Sequence, residues 1–335
     1  MIRRREVLKS VAAVGTILGV SFARARGAAA DDKIVLTVFD TERDGSPTVE
    51  AVARMGKRVA DASGGRITIQ RYTANRIARE SEAIEQLQVG ALQLARVSVQ
   101  SLWPIVDDLN VLNLPFLFRN TAHMNETVDG EVGKLLLDEI SSNPEARLVG
   151  LCWMDAGARN IYDNKRAIDS VADMKGLRIR VTGNPILLDM IEDLGGHGVA
   201  MRYDGVLPAL KSGEIDGAEN NMPTYAADKH YEVAKYYNLT EHLIVPEILV
   251  ASGVTWQTLS EDDRALIRKY AHQAQREERD LWHAAEEQAL AELKKAGVDI
   301  VPVDDKEAFR NAVKPVWEKY GGKYAALVKS IDEVG

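Results

Sequence analysis

The residues best placed to do chemistry in this chain are arginines and a short amide–carboxylate cluster. Arg159 follows an apolar run ending at Met154, inside Asp155-Ala156-Gly157-Ala158-Arg159-Asn160, which reads as a strand-to-loop position. Arg180 sits within Leu177-Arg178-Ile179-Arg180-Val181, a predicted strand, between two apolar neighbours. A charge there needs a partner, because burying one unpaired costs about several kcal/mol. The partner is a protein carboxylate or a ligand, and the planar guanidinium fork suits a bidentate bond to a ligand carboxylate. A period of two puts Arg178 on the same face, so pattern alone leaves Arg178 and Arg180 both open, with a structural ion pair as the alternative for each. The third cluster is Gly213-Glu214-Ile215-Asp216-Gly217-Ala218-Glu219-Asn220-Asn221. Its amides both donate to and accept from hydroxyls, and a capped surface turn would use the same letters.

Catalytic signatures are missing from the sequence. It contains no His-Glu-x-x-His, no Gly-rich phosphate loop with Lys-Ser/Thr, no Gly-x-Ser-x-Gly elbow and no dinucleotide fingerprint. The lone Cys152 lies in an apolar strand and reads as a buried, inert thiol. His123, His197, His230, His242, His272 and His283 are dispersed without metal-ligand spacing. No enzyme activity, metal or cofactor is expected.

The elements that position these residues alternate between strand and helix. Ile34–Phe39 reads as a strand, and a helix opened by Ser46-Pro47-Thr48 carries the stripe Val49, Val52, Met55 and Val59 up to Gly64-Gly65. Ile67–Tyr72 alternates, a helix covers Glu82–Val89, and a strand follows at Leu92–Val97. Val111–Phe118 is a core segment, Ala122–Ser141 a helix and Arg147–Met154 a strand. After Leu177–Val181 come a helix from Pro185, a short helix at Val206–Lys211, a strand at Ile215 and a strand at Leu243–Ala251 broken by Pro246. Ser260 then caps a long charged helix reaching about Lys295, before a strand at Val298–Val303 and terminal helices. This alternation predicts two α/β domains with mostly parallel sheets that bind ligand at strand carboxyl ends and between domains.

Location comes from the N-terminus. Arg3-Arg4-Arg5, an apolar run of about 12 residues from Val11 to Phe22 and the exit Ala28-Ala29-Ala30 form a secretory signal, with Arg4-Arg5 resembling a twin-arginine pair. The run is too short to span a bilayer, which takes roughly 20 residues. Cleavage leaves about 305 residues, enough for two cores. The precursor has 42 Lys plus Arg against 50 Asp plus Glu, and its basic leader is removed. An acidic mature chain excludes a nucleic-acid partner, yet one buried Arg in a cleft still holds an anion.

Together the segments resemble the solute-binding subunit of TRAP transporters, the DctP-like family. The resemblance rests on Ser81-Glu82-Ala83-Ile84-Glu85-Gln86-Leu87-Gln88-Val89-Gly90, Leu114-Pro115-Phe116-Leu117-Phe118-Arg119 and Gly157-Ala158-Arg159-Asn160. It also rests on Asp173-Met174-Lys175-Gly176-Leu177-Arg178-Ile179-Arg180-Val181 and Ile215-Asp216-Gly217-Ala218-Glu219-Asn220. It implies a two-domain α/β periplasmic binding protein fold, type II-like, with hinge crossovers and a long helix spanning both domains. The implied division is 31–156 plus about 246–285 against 157–245 plus about 286–335. By resemblance Arg180, rather than Arg178, forms the bidentate bridge to a ligand carboxylate, Arg159 assists, and Asn220 contacts the acid from across the cleft. Asp155–Arg159, Pro47–Val52 and Ala218–Asn221 resemble the branch that binds sugar acids, hexuronates such as galacturonate or glucuronate in particular. Glu80, Arg96, Ser98 and Glu219 are then candidates for ring hydroxyls. C4-dicarboxylates, 2-oxo acids and aromatic acids are the alternative ligands. The implied partners are the small and large membrane permease subunits, and a monomer is expected. The chain departs from the family at Asn75–Arg79, at Gly205-Val206-Leu207-Pro208 and in the acidic loop Asp40–Gly45; these differences bear on the ligand rather than on the carboxylate anchor.

Overall fold

The computed structural model describes residues 33–72 and 79–335. The predicted export signal and residues 75–78 of the departing turn lie outside the described residues. In chain order the strands are β1 (Ile34–Phe39), β2 (Ile67–Arg71), β3 (Leu94–Ser98), β4 (Leu148–Met154), β5 (Ala158–Asp163), β6 (Arg178–Val181), β7 (His197–Ala200), β8 (Gly217–Asn220), β9 (Tyr236–Ile244), β10 (Glu247–Ser252) and β11 (Asp299–Pro302). They form two sheets, ordered β2-β1-β3-β10-β4 and β11-β9-β5-β8-β6-β7. Each sheet with its helices makes one lobe of a two-domain α/β binding-protein fold.

Both sheets are mixed, which corrects the expectation of mostly parallel pairing. β10 runs antiparallel to β3 and β4, and β5 runs antiparallel to β8 and β9. The cause lies in the crossovers. The chain leaves the first sheet at the carboxyl end of β4 and enters the second within three residues, Asp155–Gly157; it returns from β9 to β10 through Val245 and Pro246. A strand entered so directly starts at the edge where its neighbours end, so it must oppose them. The predicted strand 243–251 is therefore two strands in different sheets, parted at a proline that cannot extend a ladder. β5 and β7 were not anticipated, and Arg159 belongs to β5 rather than to a loop. The predicted helix 122–141 is two helices, Thr121–Asp129 and Glu131–Ser142, divided where Gly130 is extended.

Helix Pro47–Ala62 begins with proline in its first turn and buries Ala51, Val52, Met55 and Val59 on one stripe. That stripe packs with Ile267, Ala271 and Ala274 of the long helix Glu261–Lys295 over the first sheet. The long helix runs about 50 Å at 1.5 Å per residue. Ser260 Oγ accepts from the Asp263 N–H, the first turn is acidic, and Lys294 and Lys295 close it, all in keeping with the helix dipole. Ala289 and Leu293, near its far end, join Tyr162, Tyr225 and Tyr237 beneath the second sheet, so one rigid rod underlies both lobes. Terminal helices Lys306–Ala312 and Lys314–Tyr320 pack near β9 and helix Pro185–Asp193, whereas Ala325–Asp332 packs on Glu131–Ser142. No helix among the described residues is long and apolar enough to cross a membrane.

Candidate functional site

Charged side chains gather near the carboxyl ends of β1 and β3 in one lobe and of β6 and β8 in the other, and Arg43, in the loop after β1, meets Asp228 of the second lobe. On the second sheet Arg180 pairs through its backbone with Val199 and Ala218 and is only 4% exposed. Its Nε donates to the Met201 carbonyl at 2.8 Å, and its guanidinium lies 5.8 Å from the centre of the Tyr203 ring. Among the described residues no carboxylate lies within ion-pair distance of it. Burial pushes the Arg180 pKa down, with the nearby Glu219 charge opposing. Arg178 occupies the same face, two residues nearer the strand start. It is bound there by Asp216, through Nε at 2.9 Å and Nη2 at 2.8 Å, and by the Gly213 carbonyl at 2.7 Å. Period two gave both arginines one face, but depth along the strand separates a ring of protein acceptors from the cleft.

Arg159 and Glu219 bind each other. Arg159 Nη2 donates to Glu219 Oε1 at 2.9 Å and to the Glu219 carbonyl at 3.0 Å, while its Nε meets Oε2. Glu219 is fully buried on β8, and His242 Nε2 lies 3.7 Å from its Oε2. Burial works to raise the Glu219 pKa, but Arg159 and His242 outweigh it and hold the carboxyl at about 2. Burial lowers the His242 pKa, with Glu219 opposing. Tyr162, Tyr225 and Tyr237 pack as a floor behind this pair, with Tyr225 centred 4.7 Å from each of the others. The Tyr237 hydroxyl donates to the Asn220 carbonyl at 3.1 Å, and Asn220 Oδ1 accepts from the Asn221 N–H at 2.9 Å. Asn220 lies on β8, the strand that pairs with Arg180. It is therefore on the same side of the cleft as Arg159 and Arg180, not across from them, a correction that follows from β8 sitting between β5 and β6.

Arg96 organises the opposite wall. It is 1% exposed on β3, donates four hydrogen bonds to protein acceptors and lies in ion-pair contact with Glu247. Nε and Nη2 reach Asp40 Oδ1, Nη2 reaches Thr41 Oγ1 at 2.9 Å, and Nη1 reaches Glu80 Oε1 at 3.3 Å and Glu247 Oε2 at 2.7 Å. Glu42 Oε1 is 3.9 Å away. Glu80, in the first turn of helix Glu80–Gln88, also accepts from the Ser98 N–H at 3.1 Å and the Ser101 hydroxyl at 2.5 Å. Ser98 Oγ caps the short helix Val99–Leu102. One guanidinium thus gathers Asp40, Glu42, Glu80 and Glu247. Burial raises the Glu247 pKa to about 8 despite Arg96, with Glu80, Glu42 and Asp40 adding to the rise. Burial likewise raises Glu42 to about 7.

The fold brings Glu80, Arg96 and Ser98 together on one wall and Arg159, Arg180, Glu219 and Asn220 on the other. Sequence reading missed Asp40, Glu247, Tyr203, Asp228 and the interlobe contact. Arg43, in the loop after β1, pairs with Asp228, which also accepts from the Tyr203 hydroxyl. The available signals were Asp40 directly after a strand and Glu247 directly after the proline of a crossover. Two shallow surface depressions of about 440 and 380 Å³, beside Trp317 and beside Val254, lie away from these walls.

This architecture and charged cleft are those of a periplasmic solute receptor, and the family match makes the chain a transport protein rather than an enzyme. The chain belongs to the bacterial extracellular solute-binding proteins, family 7 (DctP), whose model matches residues 40–323. It is similar to a TRAP periplasmic solute-binding protein of Pseudomonas putida F1, solved with bound D-glucuronate: 44% identity, TM-score 0.87, covering 90% of this chain and 97% of that one. A TRAP receptor from a Bradyrhizobium species, in complex with α/β-D-galacturonate, is 42% identical with a TM-score of 0.84, covering 88% of this chain and 98% of that one. A solute-binding protein of Chromohalobacter salexigens is 37% identical over 288 residues, 86% of this chain and 85% of its own.

Proposed function

We propose that this receptor captures a hexuronate, galacturonate or glucuronate, and delivers it to the small and large membrane subunits of a TRAP transporter. The observation that carries the ligand class is Arg180, a buried guanidinium at a strand's carboxyl end with no carboxylate partner among the described residues. A carboxylate arriving in the cleft meets its Nη donors as a charge-assisted, two-point contact. Arg159 adds positive potential beside it while staying bound to Glu219, and the Asn220 side chain lies within the same wall. On the facing wall Glu80 and Ser98 take the sugar hydroxyls, and Arg96 acts by holding the carboxyls that do so. The D-glucuronate and galacturonate bound by similar receptors support this ligand class.

The two crossovers serve as the hinge. In this reading 33–156 and about 246–285 move as one lobe, and 157–245 with the remainder as the other, except that helix Ala325–Asp332, packed on Glu131–Ser142, travels with the first. Closure screens the bound charge from water and presents a joint surface to the permease. Isothermal calorimetry with D-galacturonate and D-glucuronate against succinate, pyruvate and benzoate tests the assignment. Saturable binding of the uronates alone is expected; tighter binding of any of the other acids refutes it.

A further inference from the structure

The acidic wall has more carboxyl groups than the recognition of hydroxyls requires. Asp40, Glu42, Glu80 and Glu247 surround a single guanidinium, that of Arg96, so four carboxyls stand against one cation. The wall is tied toward the anchor through Arg43, which pairs with Asp228; Asp228 accepts from Tyr203, whose ring lies beside Arg180. Glu247 opens β10 directly after the second crossover, Val245-Pro246, and adds a small electrostatic contribution at Arg159. Glu42 acts on Tyr203, the ring over Arg180, and its neighbour Arg43 reaches Asp228 on the far lobe. A solute held at its acid end by buried, carboxylate-free Arg180 therefore directs its other end toward surplus negative charge.

We infer that Asp40, Glu42, Glu80 and Glu247 form a charge filter, which admits sugar acids bearing one carboxylate and rejects those bearing a carboxylate at both ends. The inference rests on the proposed hexuronate reading. A neutral sugar fails at Arg180, where it offers no anion. A hexarate satisfies Arg180 but brings its second carboxylate against the acidic wall, and like charges set against each other at an interface are strongly disfavoured. A hexuronate presents a hydroxyl-bearing carbon there instead, which a carboxylate accepts from and a protonated carboxyl donates to.

The test compares three ligands of one configuration by calorimetry at pH 8: D-galacturonate, the open-chain monoacid L-galactonate that its reduction at C1 gives, and the open-chain diacid galactarate that its oxidation at C1 gives. Galactonate and galactarate share shape and differ in charge at one end. Galactarate is expected to bind at least about 100-fold more weakly than galactonate, and the double variant Glu42→Gln/Glu247→Gln to narrow that ratio at least about tenfold. Each variant is checked by circular dichroism, and the wild-type ratio stands without any variant. Galactarate within about threefold of galactonate, a ratio unmoved by the glutamines in a folded variant, or exclusion of galactonate as complete as that of galactarate overturns the filter. If galacturonate itself does not bind, the hexuronate reading fails and the filter falls with it; if it binds and galactarate matches galactonate, the filter alone fails.

Discussion

Three arginines on the second lobe should respond to removal in three different ways, because their partners differ. Arg180 is 4% exposed and has no carboxylate within reach among the described residues, so in the free receptor its charge has left water without compensation. Arg180→Met removes the ligand's ion-pair partner, which costs about 2–5 kcal/mol of binding, a loss of roughly 30- to 4,000-fold in Kd. The same change relieves an uncompensated charge, so the melting temperature holds or rises. Arg159→Ala strands Glu219, which is fully buried with His242 Nε2 at 3.7 Å as its remaining basic neighbour. An abandoned buried charge costs about 3–5 kcal/mol. At about 2–4 °C per kcal/mol the midpoint should fall by roughly 10 °C. Arg178, which pairs with Asp216 near the surface, should leave both affinity and midpoint close to wild type when replaced by Ala. Calorimetry with D-galacturonate and scanning fluorimetry on the three variants read both axes. If Arg180→Met keeps its affinity within about threefold, or loses as much stability as Arg159→Ala, the assignment of Arg180 as a ligand anchor is wrong.

Stability should decline from mildly acidic to alkaline pH. Burial, helped by Asp40, Glu80 and, for Glu42, Asp228 and opposed by Arg96, raises the folded pKa of Glu247 to about 8 and of Glu42 to about 7 against an ordinary 4.5. The native state therefore holds protons that the unfolded chain has released, and stability falls as pH rises from about 4.5 through those values, by at most about 1.4 kcal/mol per unit per carboxyl. Glu219 works in the opposite sense, its contribution being lost as pH falls from 4.5 toward about 2. A melting midpoint higher at pH 8 than at pH 5.5 contradicts this, and Glu247→Gln should flatten the alkaline limb. Gly157→Ala, in the first crossover, puts a side chain at φ +62°, where its Cβ would lie 2.5 Å from Glu286 Oε1 and 2.7 Å from Trp282 Nε1. The left-handed backbone alone costs about 1 kcal/mol, so a midpoint drop of several degrees in scanning fluorimetry is expected, and an unchanged midpoint counts against a fixed crossover. Arg43→Ala and Asp228→Asn should each weaken uronate binding several-fold, with a double variant no worse than either single one, because both break one interlobe contact. Additive losses in calorimetry would show separate roles.

Periodicity placed β1, the helix after Ser46 and the long helix after Ser260 well, since each carries a local apolar pattern, the first helix opens on proline and the second is capped by Ser260. It failed at β5, β7 and the first half of β9. β5 reads Ala-Arg-Asn-Ile-Tyr-Asp, in which Arg159 and Asn160 are paid for by Glu219 and Tyr237, partners that no window of neighbouring residues contains. β9 includes Asn238, Thr240 and His242, all buried, their polarity absorbed by Asp163, Ile161 and one another. Strands whose inward residues are polar lose the alternation by which strands are recognised, and these are the strands that build the cleft.

The same physics explains why the anchor was only half legible. Pattern put Arg178 and Arg180 on one face and stopped there; the resemblance to TRAP receptors chose between them. What distinguishes the two is long-range: Asp216 is 38 residues from Arg178 in sequence and docks beside it because β8 pairs with β6. Among the described residues Arg96 and Arg180 are the buried arginines, and the fold treats them oppositely. Arg96 is surrounded by carboxyls and bound by Asp40, Glu80 and Thr41, which makes it a fixed part of the wall. Arg180 is given one carbonyl and an aromatic face, interactions that hold the guanidinium in place without neutralising it. Desolvating a cation without a counterion is unfavourable for folding, and a carboxylate ligand entering the cleft reverses that cost. Stability withheld from the free protein at Arg180 thus becomes affinity in the complex, and the sign of the Arg180→Met melting shift measures that exchange directly.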